Sequence, residues 1–464
     1  MRQRPCNPRV AEPVAVEGRS VVVVGAGRSG LGAAKLLTAL GASVVVVDSR
    51  PAEEIEHAEE LRQLGAELVG GCRHLPSLPG IRLAVVSPGV PPHAPIIEDI
   101  RRHGIPTVGE LEVAWQFCPA RVIAITGTNG KGTTCRLCTN MLAASGIPVE
   151  LAGNIGRPLS DCVSALTSEH VVVVEVSSFQ LAGCSTFAPH VACLLNIAVD
   201  HLDWHATFED YRAAKRRIFA NQRPEDIAII VVDDPGAASV VPDVRAQLAK
   251  VSLGGGGDVY YSYGRIYLSL PFGRSCVEAP ELGQWPPHLL TDALVAAAAA
   301  CSAGATSDAV ARAIAAYEQP PHLMQHIADL GAVRFIDDSK ATNVAAAVAD
   351  LRGLAACGRV IVITGGKDKG IDLRPWAQAL EEMAAGVVLI GETGQQLAGL
   401  IRGHSPQRAA SMEEAVGMAY SMARPGDIVA LVPAASSFDM FTDYADRGEK
   451  FAQAVRALIA AGAS

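Results

Sequence analysis

Short apolar runs closed by polar turns recur along this chain, with helical patterns between them. Residues 20–24 are β-branched and lead into Gly25-Ala26-Gly27-Arg28-Ser29-Gly30, then a helical pattern carrying Leu31, Lys35 and Leu36. Residues 44–47 end in Asp48, and residues 84–86 end in Ser87-Pro88-Gly89. Farther on, residues 122–125 precede a glycine-rich turn, the apolar run 171–174 closes on Glu175, and residues 191–195 close on Asn196. The rhythm returns with residues 333–336, 360–363, 388–390 and 428–432. Strands alternating with helices predict mostly parallel sheets covered by helices. Polar residues at the carboxyl ends of such strands gather on one binding edge. An aromatic, partly alternating stretch at 259–268, after four glycines at 254–257, predicts a strand pair at a domain edge.

The pattern falls into three α/β domains, as a length of 464 residues allows. Residues 1–115 form a Rossmann-like unit, 116–320 a central P-loop-type ATPase domain, and 321–464 a C-terminal Rossmann-like domain. The proline break Gln319-Pro320-Pro321-His322 closes the middle one.

Composition narrows the class. With 49% hydrophobic and 19% charged residues and no uncharged apolar run of membrane-spanning length, a soluble globular protein without membrane insertion is expected. The opening residues are basic but lack an apolar core, so no secretion signal is read and a cytoplasmic, monomeric protein is expected. A formal charge of −9 argues against a nucleic-acid partner, which wants a basic surface. The 11 cysteines are too sparse for a disulfide scaffold, and Cys135 and Cys138 fall inside a helix with no second pair at zinc spacing.

The sharpest chemistry lies in Gly127-Thr128-Asn129-Gly130-Lys131-Gly132-Thr133-Thr134. Strand, glycine turn, lysine and helix start form the context of a phosphate-cradling loop, in which backbone N–H groups face the phosphates and the lysine adds positive charge. Glu175 continues a buried run, so it must be hydrogen-bonded, paired or bound to metal, and a strand end in such a fold is where a Mg²⁺ carboxylate belongs. Asp200-His201-Leu202-Asp203-Trp204-His205 is dense in polar groups. His201 there suits a metal ligand, a base or a loop-shaping role. Lys215 sits in a basic helical run that reads, on its own, as a solvated face.

The first domain carries the form of a dinucleotide fingerprint, with Asp48 at ribose distance. Yet a better nucleotide loop lies in the second domain, and Asp48-Ser49-Arg50 equally suits a phosphorylated sugar. We read this domain as holding a phosphorylated substrate. In the last domain, Lys340 and Lys369 lie in strand-exit loops among hydroxyls and glycines, which suits a dicarboxylate or phosphate. A kinase would leave that domain with little to do. A ligase uses all three edges: ATP phosphorylates a carboxylate, an amine displaces the phosphate, and metal and lysines offset the growing charge.

With these residues placed, the sequence resembles the Mur ligase family over about residues 20–455. The resemblance rests on GTNGKGTT, GNIG from Gly153, VVEVSSFQL ending at Leu181, NIAVDHLDWH from Asn196, YRAAK ending at Lys215, DDSKATN from Asp337, GGKDKG from Gly365, and ASSFD followed by DRGEKF. It is closest to members that add D-glutamate to UDP-N-acetylmuramoyl-L-alanine, with ATP and Mg²⁺, during peptidoglycan synthesis. The resemblance implies that the first domain binds UDP rather than NAD, through Gly27, Arg28 and Ser29, Asp48, Ser49 and Arg50, and Ser87, Pro88 and Gly89. It implies that Lys131 meets the γ-phosphate, that Glu175, His201 and Thr133 hold Mg²⁺, and that Lys215 assists as a carbamate. Asn154 would lie near the reacting carboxylate, and Lys340, Thr342, Lys369, Ser437 and Phe438 around D-glutamate. Two positions depart from the family pattern: Gly132 stands where serine or threonine usually follows the lysine, and Leu323 where arginine usually follows the histidine. The alternatives are a related ligase adding another amino acid or L-glutamate, a folate–polyglutamate ligase, and, from another class, an NAD-binding oxidoreductase or nucleotide sensor.

Overall fold

Valine runs dictate the frame of this protein. Ser20–Val24 and Ser43–Val47 each place four consecutive buried valines in a strand, as a parallel sheet covered on both faces demands. The computed structural model describes residues 7–77, 80–202, 204–403 and 405–462. The chain is a three-domain α/β protein with mostly parallel sheets. It divides into two compact units, one comprising Met1–Ile197 with Glu209–Tyr317, the other Ala198–Phe208 with Glu318–Ser464.

The first unit holds two sheets. Strands β1 (Ser20–Val24), β2 (Ser43–Val47), β3 (Glu67–Val69), β4 (Ile81–Val86) and β5 (Thr107–Gly109) form a parallel sheet in the order β3-β2-β1-β4-β5. Chain direction turns outward on either side of β1, so the crevice beyond the carboxyl ends of β1 and β4 is a natural ligand edge. Gly25, at φ +95°, makes the turn there. Gly30 opens the following helix so close to that turn that a Cβ on it would lie 1.8 Å from the Gly25 carbonyl oxygen. Gly30→Ala is therefore expected to lower stability by about 2 kcal/mol through overpacking, read as a lower urea midpoint. An unchanged midpoint would show that the helix can move off the strand.

The second sheet contains β6 (Arg121–Thr126), β7 (Val149–Gly153), β8 (Val171–Glu175), β9 (Val191–Leu194), β10 (Ile227–Val231), β11 (Gln247–Val251), β12 (Val259–Ser262), β13 (Arg265–Leu270) and β14 (Gly273–Glu278). Their order is β14-β13-β12-β11-β10-β9-β6-β8-β7. Only the pairs β12–β13 and β13–β14 are antiparallel, which realises the aromatic edge hairpin expected from residues 259–268. The alanine run of helix Pro287–Ser302 is fully buried in the core it shares with helix Lys131–Ala144. Small side chains let these two helices approach closely over the sheet.

Helix Glu110–Phe117 follows the first sheet directly, and two buried carboxylates fix it to the second. Glu110 accepts from Ser160 N and Oγ, while Glu112 accepts from the N–H and hydroxyl groups of Ser185 and Thr186. Burial raises the Glu110 carboxyl above its usual range, against the pull of the Ser160 hydrogen bonds. The amino-terminal segment adds a strap: Arg9 forks onto Asp226, and Asn7 Nδ2 donates to Trp115 O at 2.7 Å.

The second unit holds β15 (Gln325–Leu330), β16 (Val333–Asp337), β17 (Val360–Gly365), β18 (Ala384–Ile390), β19 (Gln407–Arg408) and β20 (Ile428–Leu431), in the order β15-β16-β20-β17-β18-β19. All pairs but β15 with β16 are parallel. The loops after β16, β20 and β17 thus emerge side by side. No helix among the described residues is long and apolar enough to cross a membrane.

Candidate active site

Strand β6 sits between β8 and β9, so the loop after it, the carboxylate ending β8 and the asparagine after β9 share one edge. Gly130 takes φ +82° at the amino cap of helix Lys131–Ala144, a conformation that favours glycine. A Cβ there would also come within 2.2 Å of Asp292 Oδ1, a buried carboxylate that sequence reading passed over. The loop is held from beneath. Thr128 N donates to Asn196 O, Asn129 N donates to Asn196 Oδ1, and Thr128 Oγ1 lies 2.9 Å from Tyr211 Oη. Two lysines meet its carbonyls. Lys131 Nζ donates to Gly127 O and Thr128 O at 2.9 and 2.8 Å, and Lys215 Nζ donates to Gly127 O at 2.7 Å. The N-cap Gly130 offers no side chain to the first turn of helix Lys131–Ala144, so its amino end presents N–H groups suited to an anion.

Lys215 is almost wholly buried, with its ammonium 4.7 Å above the Tyr211 ring. The solvated face expected from its basic neighbours is therefore not what this lysine occupies. Thr133 is buried in the first turn of helix Lys131–Ala144, and Thr134 turns its hydroxyl back to Gly130 O.

Glu175 ends the fully buried β8 beside Ile125 of β6. Its Oε1 accepts from Asn154 Nδ2 at 2.7 Å, and its Oε2 is buried without a hydrogen-bond partner. A carboxylate oxygen left in that state is costly unless a cation or donor meets it. Mg²⁺ takes one or two carboxylates and keeps several waters, so this oxygen fits the ion.

At the first sheet, a cavity of about 470 Å³ is lined by Gly25, Asp48, Ser49, Cys72, Arg73 and Gly89, among others. Of the substrate residues expected from sequence, Asp48, Ser49 and Gly89 face it; Cys72 and Arg73 were missed, although they too follow a strand's carboxyl end. Ser87 Oγ donates to Gly25 O at 3.2 Å, Pro88 sits in the same turn, and Arg28 Nη1 reaches Gly156 O at 3.3 Å. Gly27 caps the helix that carries Arg28 and Ser29. Asp48 is already engaged, accepting from Ala26 N at 2.7 Å and from the Arg50 backbone and guanidinium. Burial pushes its carboxyl up, but those hydrogen bonds win and hold it below the usual range.

In the second unit, Lys369 Nζ donates to Thr342 O at 3.2 Å, which joins the loops after β17 and β16. Lys340 N donates to His322 O, and Lys367 N to Ser436 O, which ties the β17 loop to the β20 loop. Ser437 is buried, whereas Phe438 is 71% exposed. Beneath them lies Arg447, with no solvent exposure, donating to Ser339 Oγ, Ser339 O and Ala435 O. Burial lowers its guanidinium to about 10, partly offset by Asp439, Asp337 and Asp338. His322 Nδ1 pairs with the buried Asp337 at 2.7 Å. The segment Ala198–Phe208 belongs to this unit. In it His201 adopts φ 55°, and its N–H meets Asp200 Oδ1 at 2.9 Å. Asp203 lies outside the described residues.

A nucleotide-type loop beside a metal-ready carboxylate, with a lysine-bearing sheet edge in a separate unit, defines an ATP-dependent ligase that joins an acid to an amino acid. Family models agree along the chain: the Mur ligase MurD-like N-terminal domain matches residues 19–109, the Mur ligase middle domain 125–300, and the Mur ligase glutamate ligase domain 324–435. The chain is 40% identical over 450 residues to the UDP-N-acetylmuramoylalanine–D-glutamate ligase of Pelotomaculum thermopropionicum, covering 95% of this chain and 98% of that one. It is also 40% identical to the enzyme of the same name from Frankia casuarinae, covering 95% and 94%. In fold it is similar to a pseudomurein peptide ligase type C from Methanothermus fervidus, at 19% identity and a TM-score of 0.60, covering 95% of this chain and 100% of that one. The chain belongs to the Mur ligase family.

Proposed function

We propose that this enzyme adds D-glutamate to UDP-N-acetylmuramoyl-L-alanine through an acyl phosphate, at the expense of ATP, in the cytoplasmic steps of peptidoglycan synthesis. The observation that carries this reading is the likeness to the Pelotomaculum ligase over 95% of the chain, which takes in all three sheet edges at once. Residues 1–115 would hold the UDP-sugar, 116–320 the nucleotide and 321–464 the amino acid.

Lys131 would turn from its loop carbonyls to the transferring phosphoryl group. Glu175, His201, Thr133 and Lys215 as a carbamate would hold Mg²⁺, which supplies charge neutralisation during phosphoryl transfer. Asn154, already on Glu175, would steer the reacting carboxylate of the UDP-sugar. Lys340, Thr342, Lys369, Ser437 and Phe438 would receive D-glutamate. Its amine, as the free base, then attacks the acyl carbon; the C–N bond forms as the acyl C–O bond breaks, and phosphate leaves with the proton the nitrogen gives up. Water must be kept out at that stage, since hydrolysis of the acyl phosphate competes.

The test is a phosphate-release assay with the UDP-sugar acid, ATP, Mg²⁺ and a panel of amino acids. Release with D-glutamate and a product heavier by one glutamyl residue is the expected result. Release only with a different amino acid would remove the D-glutamate assignment.

A further inference from the structure

A strand at the rim of a sheet leaves half its backbone groups unpaired, and proteins ordinarily blunt such rims with proline, bulges, charge or a covering segment. Strand β14 (Gly273–Glu278) ends the nine-stranded sheet of the first unit. It contains no proline, its register with β13 runs unbroken, and all its residues except Val277 are exposed. Leu270 and Gly273 close a two-residue hairpin, and Ala279 N donates to Gly264 O at 2.9 Å. Hydrogen-bonded pairs alternate along an antiparallel ladder, so Gly273, Ser275 and Val277 turn their N–H and C=O groups to β13. Those of Arg274, Cys276 and Glu278 turn outward, and no other segment among the described residues pairs with them. The outward row is also its own complement. Two such edges laid antiparallel about a twofold axis at Cys276 bring Arg274 of each copy against Glu278 of the other. Glu278 is 2.8 Å from Arg265 on β13, whereas Arg274 has no ion pair among the described residues. The second copy's Arg274 would extend that row across the axis, and opposite charges facing each other across strands stabilise the pairing.

We propose that β14 is a docking edge for a second copy of this chain, joining two nine-stranded sheets into one across a twofold axis at Cys276. Such a dimer is independent of the reaction assigned above and replaces the monomer expected from sequence. Up to about six backbone hydrogen bonds and a reciprocal pair of Arg274–Glu278 contacts hold it. A strand from another protein would satisfy the same backbone groups, but this chain's own edge necessarily carries the reversed charge order that the row requires. One six-residue strand buries well under the roughly 1,200 Å² of a stable complex, so association is weak, with a Kd of about 100 µM.

The test is sedimentation velocity on the full chain from roughly 10 to 500 µM, a span that brackets the expected Kd. Wild type should shift toward a dimer as concentration rises. Arg274→Glu and Glu278→Arg each set like charges opposite one another, and each alone should raise the Kd about tenfold or more. Mixed in equal amounts, the two variants regain opposite charges at both contacts, so the mixture should associate nearly as wild type does. A short bismaleimide should join wild-type copies through Cys276, whose Cα atoms lie about 5.5 Å apart in a hydrogen-bonded pair. Cys276→Ser should abolish that product, while replacing Cys357, another exposed thiol, should not. Wild type that stays monomeric at every concentration rejects the second copy and leaves the edge to a strand of another protein. Association that neither variant weakens, that the mixture fails to restore, or that still cross-links in Cys276→Ser lies elsewhere on the surface and rejects the pairing too.

Discussion

Replacing Lys131 by alanine is expected to lower ATP-dependent phosphate release by about 10³-fold or more, the scale reached when a preorganised charge-stabilising donor is removed from a transition state. The side chain sits where the argument needs it, at the helix amino end with its ammonium 2.9 and 2.8 Å from the Gly127 and Thr128 carbonyls. Phosphoryl transfer asks little covalent chemistry of the protein, so positioning and charge carry most of the acceleration. The substitution should leave the fold intact, because Lys215 still donates to Gly127 O and Asn196 still holds Thr128 and Asn129. A steady-state assay at saturating substrates, beside a thermal melt, separates the two effects. Turnover within about tenfold of wild type, with an unchanged melt, would show that the developing charge is met elsewhere.

Arg447→Ala should act on stability instead. The guanidinium has no solvent exposure and spends three donors on Ser339 Oγ, Ser339 O and Ala435 O. Removing it leaves buried carbonyls unsatisfied and opens a cavity. The loss should reach about 3–5 kcal/mol, which for a unit of this size lowers the midpoint of its thermal transition by roughly 10 °C. Because Ser339 precedes Lys340 and Ala435 precedes the Ser436–Ser437 turn, amino-acid binding should weaken along with stability. Arg447→Lys can reach only part of the same set and should fall between. A midpoint shift under about 2 °C in Arg447→Ala would mean that neighbouring side chains or water take over the carbonyls.

The frame was legible because local pattern carried it. Four valines in a row at β1, β2 and β8 mean a strand buried on both sides, whatever surrounds them. The glycine-lysine turn after β6 was readable for the same reason, since its left-handed Gly130 and following helix are local matters. Glu175 was recognised by contradiction, a charge ending an apolar run. Its partner Asn154 was placed only by resemblance, since the two meet across β7 and β8. Other residues were opaque because their meaning is tertiary. Asp292 meets the Gly130 turn from a distant helix, and Arg9 meets Asp226 across much of the first unit. Arg447, within DRGEKF, reads locally as a surface charge, yet it is buried on carbonyls. Asp48 combines both kinds of information. A local rule points it at a ribose, and the fold adds its hydrogen bonds from Ala26 N and Arg50 beside the cavity.

The path of the chain through its two units has one more consequence. The backbone passes between them after Ile197, again after Phe208 and finally after Tyr317, so the second unit is assembled from two separate stretches of chain. A gene split at Tyr317 would not yield two self-sufficient halves. The downstream product would lack Asp200 and the salt link to Lys369, and the upstream product would keep a loop whose companions had been removed.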